Sequence, residues 1–375
     1  MFEVLSEAVA HLRRGESVVL ATVTDAQGSS PRDPGASMLV LADGTVVGSV
    51  SGGCVEGAVY EIAQEVMADG VPALQEFGYS DADAFAVGLT CGGILTVFVQ
   101  RLDAGDAGLV SRIVEDVDAG RPVAWVSVVQ HPEADWIGRR VVVRPDSHED
   151  SLGERFADHA VVSDVRGVLV AGDSRLMHFG AGGERMGNEM EIFVSSFQPP
   201  ARMLIFGAVD FAAALAQQSS ILGFHVTVCD ARAVFATAKR FPAADEVVVD
   251  WPHRYVTREV EAGRIDRRTA VCVLTHDAKF DVPVLAAVTG LPEEIRPFYI
   301  GVMGSRTTHD DRIRRLTEAG ATDDAVAMLS SPIGLDLRGR TPQETALSIA
   351  AEIVARRWGG TGAPLVDVSG PIHVR

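Results

Sequence analysis

Long apolar runs are absent from this chain of 375 residues. A membrane-spanning helix needs roughly 18 consecutive apolar residues, and no stretch comes near that length. The opening residues, MFEVLSEAVAHLRRGE, carry acids first and arginines last, which is typical of an amphipathic helix and not of a signal peptide. The sequence therefore predicts a protein of the cytoplasm with no membrane partner.

Positive charge is also scarce, and the formal net charge is -18. A balance this acidic argues against nucleic acid and anionic membranes as partners. The scarcity is sharpest between Gly15 and Gln100, where Arg32 is the one cationic side chain of the sequence. An anionic ligand bound by that stretch must therefore depend on backbone N–H groups, helix ends and Arg32.

Cysteine is rare, and the four residues of this type form no C-x-x-C pair, so a structural zinc knuckle is not indicated. Cys229 and Cys272 lie in the apolar runs HVTVCD and AVCVLT, which predicts buried core thiols. Cys54 and Cys91 differ, because each adjoins a Gly-Gly pair, in SGGC and TCGG. These two cysteines are the candidates for chemistry.

Cys54 lies at a predicted helix start. It directly follows Gly52 and Gly53, and the next residues predict a helix over Val55–Met67. A thiol at a helix N-terminus is biased toward the thiolate, which is the form that attacks or binds metal. Glu56 falls in the first turn, where the helix dipole favours an acid.

A glycine-rich hairpin precedes this cysteine. The apolar runs Met38–Leu41 and Val46–Val50 predict two strands, joined by the turn residues ADG. The glycines around these runs, from Gly28 onward, are not needed for strands. They indicate backbone N–H groups that come close to a bound group.

Composition and periodicity divide the chain into three regions. Residues 1–105 predict an α+β domain, and residues 106–198 predict a second, β-rich subdomain. After a Gln198-Pro199-Pro200 linker, residues 199–375 alternate short apolar strands with helices, as in a Rossmann-like doubly wound parallel sheet, so the fold class is α/β. The further predicted helices are Phe2–Arg14, Ala107–Ala119 and Thr341–Arg357, and the further predicted strands are Ser17–Val23, Ile94–Gln100, Val123–Val129, Arg140–Arg144, Gly167–Ala171, Met190–Ser195, Met203–Phe206, His225–Cys229, Glu246–Val249, Ala270–Leu274 and Phe298–Ile300.

A faint internal repeat links the first two regions. The stretch VVLATVTDAQG and its hairpin resemble VAWVSVVQHPE and the residues after it, roughly a hundred residues later. Two unrelated hairpins would give the same pattern by chance, and the second copy lacks the Gly-Gly-Cys segment. The residue pairs that match are Gly35 with Gly138, Asp43 with Asp146, and Ser49-Val50 with Ser151-Leu152.

The turn FGAVDFAAALA opens the C-terminal sheet but departs from a dinucleotide fingerprint. Gly207 and Ala212 fit the first and third positions of G-x-G-x-x-G/A, whereas Val209 stands where the second glycine lets a pyrophosphate approach. Asp210 adds a negative charge where phosphate would bind. Asp230 is placed as a ribose-binding acid, so the fold signal is strong while NAD(P) binding is not expected.

A second glycine-rich turn, IGVMGSR, contains Gly304, Ser305 and Arg306 between a strand and a helix. Free N–H groups and a guanidinium would converge there on an anion, although a tight turn with a surface arginine explains the same residues. In LTHDAKFD, His276 is a candidate general base or a polar residue at the lip of a site, and helix capping is the alternative.

Eight separated segments, taken in order, resemble the XdhC/CoxI family. They span nearly the whole chain: TVTDAQGSSPRDPGASM, GSVSGGCVEGAV, LTCGGILTV, FGAVDFAAALA, LTHDAKFD, IGVMGSR, SPIGLDL and TPQETALSIAAEI. The resemblance implies an accessory factor of xanthine dehydrogenase and related molybdenum hydroxylases, and thus a cofactor chaperone more than an enzyme.

The resemblance also implies a cargo and partners. Family members are similar to chaperones that hold molybdenum cofactor, as molybdopterin or its dinucleotide form. They shelter it while a cysteine desulfurase exchanges an oxo ligand for sulfur. They then pass it to an apo-hydroxylase of the xanthine or carbon monoxide dehydrogenase type. A homodimer is the default expectation for the chaperone itself.

The signature segments of the family correspond to specific residues here. Holding an anionic pterin requires N–H nests and a positive group, and a soft thiolate suits molybdenum as a ligand or as a sulfur relay. Cys54 is then the expected contact to molybdenum through the cofactor. Glu56 would shuttle a proton to the leaving oxo group, unless it is a solvated first-turn glutamate. The expected cofactor-binding residues are Gly28, Ser29, Ser30, Arg32, Gly52, Gly53, Cys54, Cys91, Gly92, Gly93, Gly304, Ser305 and Arg306.

Two other functions fit parts of the sequence. The C-terminal sheet and Asp230 would suit an NAD(P)-dependent oxidoreductase. The IGVMGSR turn would suit an adaptor that recognises a nucleotide without catalysing a reaction.

Overall fold

The computed structural model describes residues 1–28, 32–78, 93–275 and 277–369. The chain forms two compact units, and the boundary between them falls after Pro199. That boundary lies in the Gln198-Pro199-Pro200 segment, where the loss of two backbone N–H donors disfavours regular structure.

The first unit contains, within the described ranges, two antiparallel sheets of five strands each. Their strand orders are β3-β2-β1-β5-β4 and β8-β7-β6-β10-β9. The helices are α1 (Phe2–Leu12), α2 (Glu56–Asp69), α3 (Ala107–Asp118) and α4 (Arg155–Ala171), and the strands are β1 (Val18–Gln27), β2 (Ser37–Leu41), β3 (Val46–Gly48), β4 (Ala73–Phe77), β5 (Ile94–Leu102), β6 (Val123–Gln130), β7 (Arg140–Val143), β8 (His148–Glu149), β9 (Arg175–Phe179) and β10 (Met190–Phe197).

The internal repeat is confirmed by this topology. Each copy runs helix, three strands, helix, two strands, and the two sheets have the same strand order. The matched glycines make the same bond, because Gly35 N donates to Val23 O and Gly138 N donates to Val128 O. The weak sequence pattern therefore marked a duplicated fold.

The two copies contact each other reciprocally. A Cβ built on Gly35 would lie 3.3 Å from Ser174 Oγ, in the turn between α4 and β9. A Cβ built on Gly138 would lie 3.1 Å from Pro72 Cγ, in the equivalent turn of the first copy. The same surfaces thus meet twice, as they do around a two-fold axis.

Four hydrophobic clusters form the core of the first unit in the described ranges, the smallest around Phe98, Val129 and Phe193. One lies between α2 and the first sheet, and another lies between α4 and the second sheet. The third joins α1 and α3 to residues of both sheets, including Leu20 and Trp125. The two copies therefore share a core.

Several elements of the first unit differ from the prediction. The apolar run Gly167–Ala171, predicted as a strand, is the end of α4, because Val168 and Leu169 continue the buried face of that helix. The strands β4, β8 and β9 were missed, since most of their residues are exposed or only partly buried and carry no alternating apolar pattern.

The second unit confirms the predicted Rossmann-like sheet. In the described ranges it has six parallel strands in the order β13-β12-β11-β14-β15-β16. Helices α5 and α10 cover one face, and α6, α7 and α8 cover the other. The strands are β11 (Arg202–Phe206), β12 (His225–Cys229), β13 (Glu246–Val248), β14 (Ala270–Val273), β15 (Tyr299–Val302) and β16 (Leu329–Ser330), and the helices are α5 (Asp210–Ile221), α6 (Pro252–Glu261), α7 (Ala278–Thr289), α8 (Arg306–Glu318), α9 (Asp323–Ala327) and α10 (Pro342–Trp358).

The two strand cysteines are core thiols, as predicted. Cys229 and Cys272 are fully buried. Burial raises the pKa of Cys229 to about 12 and raises the pKa of Cys272 as well. Both remain neutral and apolar at physiological pH.

Two of the family-like segments support each other. The SPIGLDL loop lies against α10, which contains most of TPQETALSIAAEI. Gly334 N donates to Glu352 Oε2 at 2.7 Å, and Tyr299 OH donates to the same oxygen at 2.6 Å. These hydrogen bonds fasten α10 to the sheet.

Candidate functional site

The loop before α2 is organised around one carboxylate. Glu56, the first residue of α2, accepts hydrogen bonds from the hydroxyls of Ser49 and Ser51. It also accepts bonds of 2.9 Å from each of the backbone N–H groups of Ser51, Gly52 and Gly53. The expected N–H nest therefore exists, and its bound anion is the chain's own carboxylate.

These bonds determine the charge of Glu56. Burial disfavours ionisation, but the hydrogen bonds from Ser49 and Ser51 outweigh it and lower the pKa of Glu56 to about 2. A general acid needs a proton to give, and at neutral pH this carboxyl group holds none. The geometry therefore favours a structural role over the expected proton shuttle.

Gly52 and Gly53 have conformations that favour glycine. Their φ angles are 81° and 118°, in the region that side chains rarely adopt. A Cβ built on either residue would meet nothing within 4 Å. The space above these two residues is open, so their glycines serve the backbone conformation and leave room for a ligand.

Cys54 lies between this open loop and the core. It is partly buried, packs against the cluster formed by α2 and the first sheet, and precedes the N-cap residue Val55. Cys54 N and Val55 N both donate to Ser51 Oγ. The thiol therefore stands at the helix N-terminus, as predicted, but outside the helix itself.

The other predicted residues of the first unit are less completely described. Gly28 ends β1, and Arg32 is exposed, with its charge near the α-amine of Met1. Gly93 is buried directly before β5. Ser29, Ser30, Cys91 and Gly92 lie outside the described residues.

In the second unit, the fingerprint turn is tight but already occupied. Gly207 has φ 114°, and a Cβ there would lie 2.8 Å from Thr275 Cγ2. Ala208 N donates to Asp230 Oδ2, and Val209 caps α5. The N–H of Ala208, the residue after the fingerprint glycine, is thus already bound to a side chain of the protein itself.

The candidate ribose acid is occupied too. Asp230 is 3% exposed, and Arg232 binds both of its oxygens through Nε and an Nη atom. Burial opposes its ionisation, yet the bonds from Arg232 and Ala208 lower the pKa of Asp230. An acid held this way is not presented to a ribose hydroxyl.

A cleft opens at the carboxyl edge of this sheet, where the strand order reverses between β11 and β14. Ligands of doubly wound folds bind at such a switch point. The cleft has a volume of about 580 Å³. Its lining residues are Val209, Arg232, Leu274, Thr275, Asp277, Ala278, Lys279, Phe280, Asp281, Val282, Thr308, Asp311, Arg312 and Arg315.

A buried ion pair forms part of the cleft wall. Arg312 and Asp281 are 4% and 2% exposed, and their side chains are 3.1 Å apart. Arg312 also donates to Met303 O, and Thr275 donates to Asp281 through its hydroxyl. These bonds tie α8 and α7 to the strand ends, so the pair holds the cleft's shape.

The IGVMGSR turn contributes less directly than expected. Ser305 caps α8 by accepting a bond from Thr308 N, and Arg306 is the exposed first residue of the helix. Neither is among the cleft-lining residues, nor is Gly304. The residues that reach the cleft from α8 are Thr308, Asp311, Arg312 and Arg315, whose spacing of three to four marks one helix face.

The sequence analysis missed that face of α8 and also missed Arg232. The spacing of three to four residues on α8 is nevertheless visible in the sequence. For LTHDAKFD, the structure shows capping at Asp277, which accepts a bond from Lys279 N at the start of α7. His276 lies outside the described residues. In the part of the chain that is described, no group of three or more metal-binding side chains occurs, and no helix is long and apolar enough to cross a membrane.

The fold and sites define a two-unit α/β protein with a duplicated α+β region and a modified Rossmann sheet. Residues 11–78 and 117–180, one stretch in each repeat copy, match the model of the XdhC and CoxI family. Residues 203–353 match the model of the XdhC Rossmann domain. The chain belongs to the XdhC/CoxI family.

Individual relatives agree along nearly the whole length. The chain is 27% identical to the molybdenum cofactor insertion chaperone PaoD of Escherichia coli, over 94% of this chain and 88% of that protein. It is 25% identical to a probable xanthine dehydrogenase subunit of Bacillus subtilis, over 91% and 94%. A crystal structure titled a xanthine dehydrogenase from Bacillus halodurans superposes with a TM-score of 0.68 at 26% identity, covering 95% of both chains.

Proposed function

We propose that this protein binds molybdenum cofactor and serves in the maturation of a molybdenum hydroxylase. The observation that carries the proposal is the open Gly52-Gly53 loop, which presents Cys54. In addition, a relative of this protein in Escherichia coli is named a molybdenum cofactor insertion chaperone. We extend the proposal to support of cofactor sulfuration and to delivery to the apo-enzyme.

In this role the cofactor is a cargo that the protein holds and passes on. Cys54 would meet its molybdenum, since a thiolate is a soft ligand that also suits a sulfur relay. The open space above Gly52 and Gly53 would admit the pterin, and Arg32 is the sequence's one cation between Gly15 and Gln100. The oxygens of the cargo would not use the N–H groups of Gly52 and Gly53 while Glu56 holds them.

Partners follow from the same proposal. A cysteine desulfurase would supply sulfur, and an apo-hydroxylase of the xanthine or carbon monoxide dehydrogenase type would receive the cofactor. These exchanges would take place in the cytoplasm, with the chaperone as a homodimer.

The test is cofactor retention. The protein is purified from cells that make the cofactor, and pterin fluorescence and molybdenum are measured per chain. Cys54→Ser should lose most of both signals. Phe156→Ser is the matched control, because Phe156 occupies the equivalent place in the second repeat copy and is 63% exposed. Wild-type protein that retains no pterin would contradict the proposal.

A second function is favoured by the cleft of the second unit. Its position at the switch point, its volume of about 580 Å³ and its side chains Arg232, Lys279 and Arg315 suit a nucleotide phosphate, such as that of a dinucleotide cofactor. The protein would then recognise a nucleotide without catalysing a reaction on it.

Titration calorimetry with CMP, GMP and NADH tests this function. Arg315→Ala should weaken nucleotide binding at least tenfold. The control is Arg314→Ala, on the same helix, since Arg314 pairs with Asp311 as Arg315 does but does not line the cleft. Equal affinity in both variants would contradict a phosphate site there, and tight NADH binding would favour the oxidoreductase alternative.

A further inference from the structure

The internal repeat allows the Gly-Gly-Cys loop to be compared with its own counterpart. In the first copy, Ser49 donates to Glu56, seven residues on. In the second copy, Ser151 donates to Asp158, also seven residues on. The helices after these serines end alike, at the left-handed glycines Gly70 and Gly172.

The two helices nevertheless begin differently. α4 has 17 residues and begins before its acid, so Asp158 lies inside the first turn. α2 has 14 residues and begins at its acid, Glu56. At 3.6 residues a turn, α2 has lost most of one turn at its N-terminus. Cys54 occupies the place that Phe156 fills within the first turn of α4.

The hydrogen bonds show what replaces the missing turn. Asp158 accepts hydrogen bonds from the hydroxyl of Ser151 and from the N–H of Leu152. Among the described residues, it accepts no bond from any other backbone N–H. The longer Glu56 binds two hydroxyls and three backbone N–H groups. These backbone donors lie before α2 and have no helical partner, so the carboxylate satisfies groups that the helix itself does not.

We infer that Glu56 is a positioning residue whose carboxylate holds the residues before α2 in an unwound loop, so that Cys54 is presented outside the helix. The inference rests on the proposed function only for the identity of the group that Cys54 contacts. The glycines take part, because Gly52 and Gly53 need positive φ angles to turn their N–H groups onto the carboxylate.

Hydrogen exchange by mass spectrometry, from milliseconds upward, tests the inference without any cargo. In Glu56→Gln, the segment 50–54 should exchange at least tenfold faster, because an amide group cannot accept all of these bonds. Asp158→Asn is the matched control and should change exchange around Leu152 alone. Unchanged exchange of 50–54 in Glu56→Gln would overturn the inference.

A grafted variant keeps the test independent of a loss of folding. Gly52→Glu with Gly53→Arg copies Glu154 and Arg155 of the second copy, which begin a stable helix there. We expect α2 to lengthen, with new exchange protection at Val55 and Glu56 and a change of at least fivefold in the rate of Cys54 alkylation by iodoacetamide. A folded graft with neither change would also overturn the inference.

The two possible failures remain distinguishable. If Glu56→Gln speeds exchange while wild-type protein retains no pterin, the loop mechanism stands and the cofactor proposal fails. If pterin is retained by wild type and lost in Glu56→Gln with no change in exchange, Glu56 acts on the cargo directly and the positioning role fails.

Discussion

Cys54 and Cys91 are alike in sequence, each beside two glycines, and they differ in the element that comes next. Cys54 precedes α2, and its N–H is held by Ser51. The open space over Gly52 and Gly53 beside Cys54 leaves room for the cargo, whereas Cys91 precedes a strand in the sequence. We expect Cys54→Ser to lower retained molybdenum and pterin at least tenfold and Cys91→Ser to lower them less. Equal or reversed losses would reassign the sulfur that meets molybdenum.

Two carboxylates, those of Glu56 and Glu259, make the stability of the protein depend on pH. The pKa of Glu56 is lowered to about 2 by the bonds described, which outweigh burial, and the pKa of Glu259 is lowered to about 2 because the bonds from Arg264 and Arg202 outweigh burial. A lowered folded-state pKa stabilises the protein fully above the ordinary value of 4.5, and this stability is lost as the pH falls toward 2.

The measurement is urea unfolding of Glu56→Gln and wild type between pH 7 and pH 2.5. The destabilisation caused by the substitution should be constant above pH 5 and should shrink below pH 4.5. Glu61→Gln removes an exposed charge from the same helix and controls for net charge. A pH-independent difference for Glu56→Gln would show that its carboxylate is not the group that matters.

At the scale of elements, the backbone conformation of the loop before α2 favours glycine. Gly53 has φ 118° with open space around it, so Gly53→Ala adds no clash but forces alanine into an unfavourable conformation. This should cost about 1–2 kcal/mol of unfolding free energy. Gly57→Ala, inside α2 with open space, should instead stabilise by about 0.5–1 kcal/mol. Chemical denaturation of both variants checks the opposite signs.

The link between α7 and α8 depends on the buried pair of Asp281 and Arg312. Removing one partner leaves a buried charge uncompensated, so Arg312→Ala should destabilise by about 3–5 kcal/mol. The double variant Asp281→Leu with Arg312→Met should recover much of that loss. Thermal unfolding of the second unit's transition reports both, and a mild effect of Arg312→Ala would mean that water reaches the pair.

Elements were predictable where the residues themselves carry the signal. Short apolar strands such as Met203–Phe206 and the capped helix after Thr341 follow from pattern and capping chemistry alone. The first copy's Glu56 shows the limit. In sequence it is an acid in a first helical turn, and its five bonds exist only because the loop before it folds back. The cleft residue Arg312 likewise gains its partner Asp281 from the tertiary fold.

At the scale of the whole molecule, the two units differ in how they should respond to division. The second unit has its own clusters on both faces of its sheet, so residues 200–375 should fold alone with a cooperative transition. Within the first unit, α1, α3 and both sheets share one cluster. Residues 1–103 alone should therefore be unfolded or aggregated, and should recover structure when mixed with 104–199. Circular dichroism and near-UV spectra of the fragments check both expectations.

The reciprocal contacts of Gly35 with Ser174 and of Gly138 with Pro72 have a consequence for the history of the chain. Surfaces that meet twice in this way are those of a symmetric dimer of identical protomers. A duplication that joins two such protomers into one chain leaves two equivalent loops where one suffices. Because each half carries its own copy of this loop, one copy can stay open before α2 while the other is wound into the first turn of α4.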